Sequence, residues 1–444
     1  MLRDVFVLLI LVVGGYFCFQ GPYYVLLLYI WNAYFRPEHW VWSAQWLLTL
    51  KVSYVLGVAI VVSTIFSKQR FRFTFHSFLL FLILAQALVS VLLCEHFDYA
   101  WSSWVDFLKA TLIAFLIPAL ANDRKKLRLL ILVMCLSLGF EGSKQGWVGM
   151  LSYPGALNSN DIPFLGDNNG VAVGMLMLTP LFGALVATTS SKWAKRFLGF
   201  LMIGVVYRAL STYSRGGFLS CAALAVIYWI RSRGKLRLLL AFSLTAAIVL
   251  PVLPDEFWGR MQTIKTYEEV EDDSALSRLH FWQVALKMAD ANPFFGVGFN
   301  AYNLSFDKYD FFYGRYGEGR SVHSVWFGVV AELGYGGLFL YVFSVILALR
   351  NCAFTRKVAR RNPQYSDLER FATSVESGLW VFLVGGTFLS FQYNEMFFHF
   401  IGLSIALRIA ARSIDGTAGD TPQSTFENEA GASKSRPEFE GART

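Results

Sequence analysis

Residues 169–189 read NGVAVGMLMLTPLFGALVATT, and this run contains no charged side chain. Runs of about 17 to 25 mostly apolar residues recur along the chain, each separated from the next by a short polar break. That is the length an α-helix needs to cross about 30 Å of hydrocarbon with every backbone group bonded internally. The repeated pattern therefore predicts an all-α, polytopic integral membrane protein.

Composition points to the same class of protein. Hydrophobic residues make up 55% of the 444 residues and charged residues only 16%, and the mean hydropathy is +0.46. Soluble domains contain about 25% charged residues, so a soluble enzyme core is excluded. The net charge of +8 is spread over separate loops rather than gathered in one patch, and we expect no nucleic-acid partner.

The apolar runs predict about twelve membrane helices. The first run is interrupted at Gln20, Gly21 and Pro22, so it forms either one kinked span or two short helices. The predicted spans are residues 5–35, 48–66, 76–95, 104–121, 127–144, 169–189, 195–212, 214–231, 237–253, 323–349, 375–392 and 393–411.

Basic residues with few compensating acids occupy alternate breaks between the spans. By the positive-inside rule these breaks are cytoplasmic. The breaks at 145–168 and 254–322 then face outward, on the periplasmic side. The basic clusters lie within residues 68–72, 124–128, 192–196, 231–237 and 350–361.

The sequence predicts four parts. Apolar residues at helical spacing from Ala275 to Asp290 indicate an amphipathic helix in the outward loop, lying against the membrane surface or against the other spans. The last part is rich in Gly, Ser, Thr, Glu and Ala and predicts a disordered cytoplasmic tail. The parts are an N-terminal transmembrane bundle at 1–253, a periplasmic loop at 254–322, C-terminal transmembrane helices at 323–411, and the tail at 412–444.

Polar side chains collect at the outward ends of the spans. Arg215 lies in a turn between two spans, the long loop carries Arg278, Arg315 and Arg320, and His323 opens the following helix. Each arginine on its own is also typical of a snorkelling or capping residue. Guanidinium groups match the oxygens of phosphate groups. Together, the three arginines Arg215, Arg278 and Arg320 therefore predict a pocket that binds a lipid diphosphate. Further candidates on the same side are Lys144, Asp167, Asn168, Asn169 and, about two turns deeper, Arg208.

Two residues are candidates for acid–base chemistry. A neutral His323 would take the proton of an acceptor hydroxyl as a general base. Glu332 lies about 13 Å into the same helix at 1.5 Å per residue. We therefore do not expect it to be an ordinary solvent-exposed surface residue. The acidic run Glu268 to Asp273 lacks clustered histidines and is typical of a solvated loop, and the five cysteines are scattered. We therefore assign no metal and no cofactor.

Short motifs in a fixed order make this chain similar to the O-antigen ligase and polymerase superfamily of bacterial membrane glycosyltransferases. The Asp-Asn-Asn segment, Arg36-Pro37 and the His-Ser pair are especially similar to the branch of O-glycosylation ligases associated with exosortase systems. The motifs are Gly166-Asp167-Asn168-Asn169, Ser214-Arg215-Gly216-Gly217, Ser277-Arg278 with Trp282, Pro293-Phe294-Phe295-Gly296-Val297-Gly298, His323-Ser324 and Glu332-Leu333-Gly334.

The resemblance implies transfer of a glycan from undecaprenyl diphosphate at the periplasmic face of the inner membrane. The acceptor in such ligases is lipid A-core, in lipopolysaccharide biosynthesis; relatives use a protein hydroxyl or a growing polysaccharide. The resemblance also implies metal-independent, inverting transfer, in which Arg215 and Arg278 bind the diphosphate and His323 activates the acceptor. Arg320 and Glu332 are added from their placement.

A transporter of the same lipid-linked sugars is the alternative of another class. Transporters often contain two related halves whose broken helices meet at the midplane of the bilayer. This sequence shows no such repeat, and its polar residues collect at one face. Arg208 and Glu332, however, lie within predicted spans, where they would suit a transport path.

Overall fold

The computed structural model describes residues 2–42, 45–67, 74–232 and 273–414, with a few positions between 234 and 258. Within this part the chain forms helices and turns, and one isolated bridge joins Ile162 to Gly166. The all-α prediction is thereby confirmed for the described residues. Other predictions fall outside them wholly or for the most part: the break at 68–72, the span 237–253, the acidic run from Glu268, and the tail after Ile414. The division into four parts stays a prediction.

The helices in the first half of the chain follow the apolar runs closely. They are α1 (Leu2–Cys18), α2 (Pro22–Phe35), α3 (Gln45–Leu50), α4 (Val52–Phe66), α5 (Phe75–Leu92), α6 (Phe97–Leu120), α7 (Arg124–Ser152), α8 (Asn168–Thr188), α9 (Lys192–Leu210) and α10 (Arg215–Arg231). After the gap come α11 (Asp273–Ala291), α12 (Tyr302–Tyr309), α13 (Val325–Arg361), α14 (Ser366–Gly385) and α15 (Glu395–Ile414).

The first apolar run forms two short helices rather than one kinked span. The chain breaks after Cys18, and Gly21 has a φ of 140°, a conformation that glycine adopts without steric cost. Pro22 then opens α2 at a position where its missing N–H is harmless. The two helices pack against each other as a hairpin.

Seven of the described helical segments are long and apolar enough to cross a membrane. Three further predicted spans coincide with α7 and α9, which are helical but more polar, and with α10, which is 17 residues long, so the count of twelve stays a prediction. The seven segments are Trp46–Phe66, Phe75–Leu92, Phe97–Leu120, Asn168–Thr188, Val325–Arg361, Pro363–Phe388 and Glu395–Ile414.

Several predicted span ends differ from the helix ends: α6 begins at Phe97 instead of 104, and α13 continues to Arg361 instead of ending at 349. Helix α7 continues to Ser152 instead of ending at 144. The glycine at 146 does not end the helix, because it allows close packing against α9: a Cβ atom on Gly146 would lie 1.9 Å from the carbonyl oxygen of Gly204. Helix α14 begins at Ser366 instead of 375. The charges that interrupt its apolar run are paired, since Arg124 binds Asp367 and Arg231 lies 2.7 Å from Glu376.

The helices share one continuous apolar core. Helix α8 packs against α9 and α14, and α15 packs against α6 and α13. At one end of the bundle, arginines bind the carbonyl ends of helices: Arg128 donates to Thr188 O at 3.0 Å, and Arg370 donates to Ala187 O at 3.1 Å. The basic clusters on described residues therefore lie at the end of the bundle opposite to Arg215 and His323; which end faces the periplasm stays a prediction.

Helix α13 is broken at Gly334, whose φ and ψ are 71° and −177°. In a membrane the backbone groups freed by such a break cost several kcal/mol each unless they are paired. Here they are paired by groups of α5 and of the loop after α11. The hydrogen bonds run from Val297 N to Ala331 O (2.9 Å), from Ser90 Oγ to Glu332 O (2.6 Å), from Gln86 Nε2 to Leu333 O (2.9 Å) and from Tyr335 N to Pro293 O (2.9 Å).

The loop between α10 and α13 has a small apolar core of its own in its described part. The predicted amphipathic helix is confirmed as α11, and its buried side packs on α12 and on the start of α13 rather than on lipid alone. The buried side chains are Phe281, Val284, Ala285, Met288, Tyr302, Phe306, Val322 and Ala331. This core fixes α11 above the helix ends that carry the polar motifs.

We expect Gly334→Ala to destabilise the protein by at least about 2 kcal/mol, since this backbone conformation is essentially restricted to glycine. A Cβ atom there would also lie 2.5 Å from Pro293 O. The matched control is Gly336→Ala on the same helix, where the nearest atom, Gln86 Nε2, is 3.7 Å away. Thermal unfolding of detergent-purified variants tests this, and equal midpoints would contradict the role of the break.

Candidate functional site

A polar cavity of about 460 Å³ lies between α11 and the segment that leads into α13. Three guanidinium groups and one imidazole lie around it, although they come from positions far apart in the chain. The side chains and backbone around it are those of Ser277, Arg278, Phe281, Arg315, Tyr316, Gly317, Arg320 and His323. The structure thus brings together three of the predicted site residues, Arg278, Arg320 and His323.

Helix α11 supplies one wall of the cavity. One face of the helix carries the three lining residues, because Phe281 follows Ser277 by four positions and Arg278 by three. The helix is tied to the opposite wall by Trp282, whose Nε1 donates to Val322 O at 3.2 Å. Because Val322 immediately precedes His323, this bond sets the position of the imidazole relative to Arg278.

The segment after α12 supplies the other arginines. The Arg315 guanidinium lies 5.6 Å from the centre of the Tyr316 ring, and Arg320 Nε donates to Tyr316 O. Gly317 has a φ of 88°, and a Cβ atom there would lie 2.5 Å from the guanidinium of Arg320. Glycine at this position therefore lets the chain turn beneath the arginine.

His323 adopts a left-handed backbone with a φ of 48°, which is uncommon for a residue other than glycine. Its backbone N–H donates to Ser390 Oγ at 2.9 Å, and its ring centre lies 6.3 Å from that of Phe281. Such strained positions persist where the surroundings fix them, and they concentrate at functional sites.

The imidazole of His323 is held in its neutral form. Burial lowers its pKa below the usual value of about 6.5, and the positive charges of Arg278 and Arg320 act in the same direction. The carboxylate of Asp167 opposes them by raising the pKa in part. A neutral ring at neutral pH is able to accept a proton.

The two other motifs begin neighbouring helices at this end of the bundle. Asp167 caps α8 by accepting from Gly170 N at 2.9 Å. Ser214 caps α10 and donates to Asn169 Oδ1 at 2.7 Å, which places Arg215 beside the start of α8. Arg215 is half-buried at the first position of α10. The start of α10 contacts the segment carrying Ser390, since a Cβ atom on Gly216 would lie 3.5 Å from the Cβ atom of Phe388.

Asn168 and Arg215 do not line the cavity, although they belong to the same end of the molecule. Asn168 is the first residue of α8, and its buried Oδ1 has no hydrogen-bond partner among the described residues. Arg215 is the first residue of α10, and the start of that helix contacts Phe388, whose ring lies 6.4 Å from that of Trp282 on α11. Because Arg215 does not line the cavity, the diphosphate-binding role predicted for it stays a prediction.

Arg208 occupies a different place from the one expected of a substrate ligand. Its side chain is 0% exposed, and its Nε donates to Gln145 Oε1 at 2.7 Å. The remaining guanidinium nitrogens donate to the backbone carbonyls of Asn158 and Asn160. Arg208 is therefore buried, as the sequence indicates, and its guanidinium group binds the loop between α7 and α8.

Lys144 and Glu332 also lie outside the cavity. Lys144 is on helix α7, where its Nζ lies 3.2 Å from Glu141 Oε1. Glu332 is only 2% exposed, and its carboxylate accepts from Tyr302 N at 3.3 Å and from Gln392 Nε2 at 3.1 Å. Because Glu332 adjoins the break in α13, its carboxylate helps to hold that break, and the acid–base role predicted for it stays a prediction.

Sequence reasoning gave Arg315 and Tyr316 no separate role, and it missed His280 and Asp310. Arg315 lies in a stretch dense in Tyr and Phe, which by itself indicates a membrane interface as readily as a site. His280 and Asp310 form a buried pair next to the cavity. Nothing in the spacing of these two residues predicts their contact. No group of three or more His, Cys, Asp and Glu side chains suited to a metal ion occurs among the described residues.

Comparisons with known proteins match two parts of the chain. Residues 199–342 match the family model described as O-antigen ligase. Residues 2–174 match a model described as a family of unknown function (DUF5935). No curated protein matches the chain. The first match spans the cavity residues together with Arg208, Arg215 and Glu332, and the second includes Asp167 and the two residues after it.

The charges around His323 predict opposite effects of two substitutions. Arg278→Gln removes a positive charge and is expected to raise the pKa of His323, whereas Asp167→Asn removes a negative charge, keeps an N-cap and should lower it. The pH dependence of diethylpyrocarbonate modification of His323, followed by mass spectrometry, measures both shifts. Lys287→Gln, on the same helix but outside the cavity, is the control. Shifts in the same direction would refute this electrostatic account.

Proposed function

Because residues 199–342 carry an O-antigen ligase domain and the chain is a member of that superfamily, we propose that it is a membrane glycosyltransferase acting on a lipid-linked glycan. The donor is a glycan on undecaprenyl diphosphate, and the acceptor is a hydroxyl group, most directly that of lipid A-core. The reaction takes place at the periplasmic face of the bacterial inner membrane and belongs to lipopolysaccharide biosynthesis.

The cavity lined by Arg278, Arg315, Arg320 and His323 carries this proposal. Guanidinium groups bind phosphate oxygens through paired N–H donors, so three of them suit a diphosphate better than an uncharged sugar. The cavity lies at one end of the helical bundle, where a diphosphate is able to enter while its polyprenyl tail stays in the bilayer. Arg215 is proposed as a further diphosphate ligand on the strength of the family motif.

The reaction follows from the charges. The acceptor oxygen attacks the anomeric carbon of the donor sugar while His323 takes the hydroxyl proton on a ring nitrogen. The bond between that carbon and the diphosphate oxygen breaks, and its electron pair leaves with the diphosphate, whose charge the arginines stabilise. Attack from the face opposite to the leaving group inverts the anomeric configuration. No step needs a metal ion, since the guanidinium groups supply the positive charge.

The transporter alternative has less support. Its sequence basis is the pair of charged residues within predicted spans, Arg208 and Glu332. Both are engaged by groups of the protein itself, through Gln145 and two backbone carbonyls for Arg208 and through Gln392 and Tyr302 for Glu332. Neither residue lines the polar cavity.

We expect His323→Ala to reduce glycan transfer by about 10²- to 10⁴-fold, the usual contribution of a positioned general base. The variant is expressed in a host that lacks its own ligase, and attached glycan is quantified at matched protein levels. His96→Ala is the control, because His96 is a histidine at the start of α6 that does not line the cavity. Normal attachment by His323→Ala would remove the proposed base.

The fate of the donor identifies the acceptor. In detergent, purified protein supplied with undecaprenyl diphosphate-linked glycan and lipid A-core is expected to form glycan-bearing lipid A-core and to leave the donor unextended when the acceptor is omitted. Mass spectrometry follows both products. Long chains still attached to undecaprenyl diphosphate would indicate a polymerase, and transfer only to a protein substrate would indicate a protein ligase. Since detergent provides no compartments, any transfer excludes a purely transporting role.

A further inference from the structure

A buried histidine–carboxylate pair lies directly behind the cavity. His280 is on α11, two residues after Arg278, and Asp310 immediately follows α12. His280 Nε2 lies 2.6 Å from Asp310 Oδ1, and the two side chains are only 2% and 4% exposed. Neither residue lines the cavity. The pair therefore joins the element that carries Arg278 to the beginning of the segment that carries Arg315 and Arg320.

The carboxylate of Asp310 organises the turn that leads to those arginines. Besides the bond from His280, it accepts from Phe312 N at 2.9 Å and from Gly314 N at 2.7 Å. The turn contains two residues with left-handed backbones, Tyr313 and Gly314, with φ of 49° and 84°. A left-handed Tyr is costly for the chain by itself. The carboxylate thus fixes a turn that ends one residue before Arg315.

These hydrogen bonds also keep Asp310 ionised. Burial raises the pKa of its carboxyl group, but the bonds from Gly314, Phe312 and His280 outweigh burial and bring the pKa below its usual value. An ionised carboxylate buried without partners costs several kcal/mol, so the loss of a donor is strongly felt.

The histidine ring contacts the same segment from its faces and edges. It stacks on Phe312 with ring centres 4.5 Å apart and planes 13° apart, and it meets the edge of Phe311 at 4.5 Å. Tyr316, which lines the cavity, lies 5.4 Å away. Donation to Asp310 requires the proton on Nε2, and the buried Nδ1 has no hydrogen-bond partner among the described residues. The ring is held by one directional bond and by packing.

We propose that His280 and Asp310 are positioning residues that hold Arg315, Tyr316 and Arg320 opposite Arg278 and His323, so that the guanidinium groups converge on one anionic ligand. The ligand class, a lipid-linked diphosphate, rests on the proposed function; the positioning itself rests on the contacts above. A purely structural role in the small core beneath the loop would require the ring but not its hydrogen bond.

Two substitutions separate the hydrogen bond from the packing. His280→Phe keeps an aromatic ring but removes the donor to Asp310, whereas His280→Gln keeps an N–H donor at similar reach. The matched control is Tyr335→Phe. It removes a 2.7 Å hydrogen bond from Tyr335 to Asp290, which lies on α11 like His280 but away from the cavity. Binding of undecaprenyl diphosphate to purified protein and backbone amide exchange over residues 310–320 are measured for each variant.

The expected result is that His280→Phe weakens undecaprenyl diphosphate binding by about tenfold and speeds amide exchange at Phe312 and Gly314, because a hydrogen bond to a charged group is lost. His280→Gln is expected to bind within about threefold of the wild type, and Tyr335→Phe to match it. Wild-type exchange and affinity in His280→Phe would overturn the proposal. So would a His280→Gln variant that binds poorly and has a lowered unfolding midpoint beside a His280→Phe variant that matches the wild type, since the ring would then act only in packing.

The same measurements distinguish this inference from the proposed function. A wild-type protein that transfers glycan, together with a His280→Phe variant that does so equally well, removes the positioning role alone. A wild-type protein that neither binds undecaprenyl diphosphate nor transfers glycan removes the proposed function. In that case amide exchange over residues 310–320 still decides whether the pair fixes the segment.

Discussion

The break in α13 at Gly334 is the constraint on which the rest of the site depends. A helix opened within a membrane must have its freed backbone groups paired, and this one is paired by the loop after α11 and by α5. The loop is therefore attached to the transmembrane helices by backbone hydrogen bonds as well as by side-chain packing. Because Glu332 adjoins the break and is itself held by Tyr302 and Gln392, the position of α12 is set by the same junction.

From this junction two short elements extend toward the cavity. Helix α11 leads back to Arg278, and the segment after α12 leads forward to Arg320 and His323. Each is fixed near the cavity by a hydrogen bond to the other: Trp282 to Val322 on one side, and His280 to Asp310 on the other. The arginines lie on elements held at both ends, which preorganises their charges and reduces the cost of bringing them together when an anion binds.

The sequence predicted the residues at the cavity better than the residues behind it. Arg278, Arg320 and His323 were identifiable because cations in an outward loop and an imidazole at the start of the next span stand out in an apolar chain. Arg208 and Glu332 stood out for the same reason, yet burial indicates only that a charge needs a partner, and Gln145 or Gln392 cannot be identified as that partner from the chain. The helix ends at Ser152 and Ser366 failed similarly, since glycine packing and ion pairs between distant helices override local pattern.

The arginines and the histidine depend on one another electrostatically. Burial and the charges of Arg278 and Arg320 lower the pKa of His323 and thereby keep the ring unprotonated, although a low pKa also makes it a weaker base. A diphosphate bound to the same guanidinium groups brings negative charge that offsets theirs, so the basicity of the imidazole rises when the donor is in place. Asp167 acts in that direction from the start of α8. In the proposed reaction, donor binding and proton acceptance are thus coupled through charge.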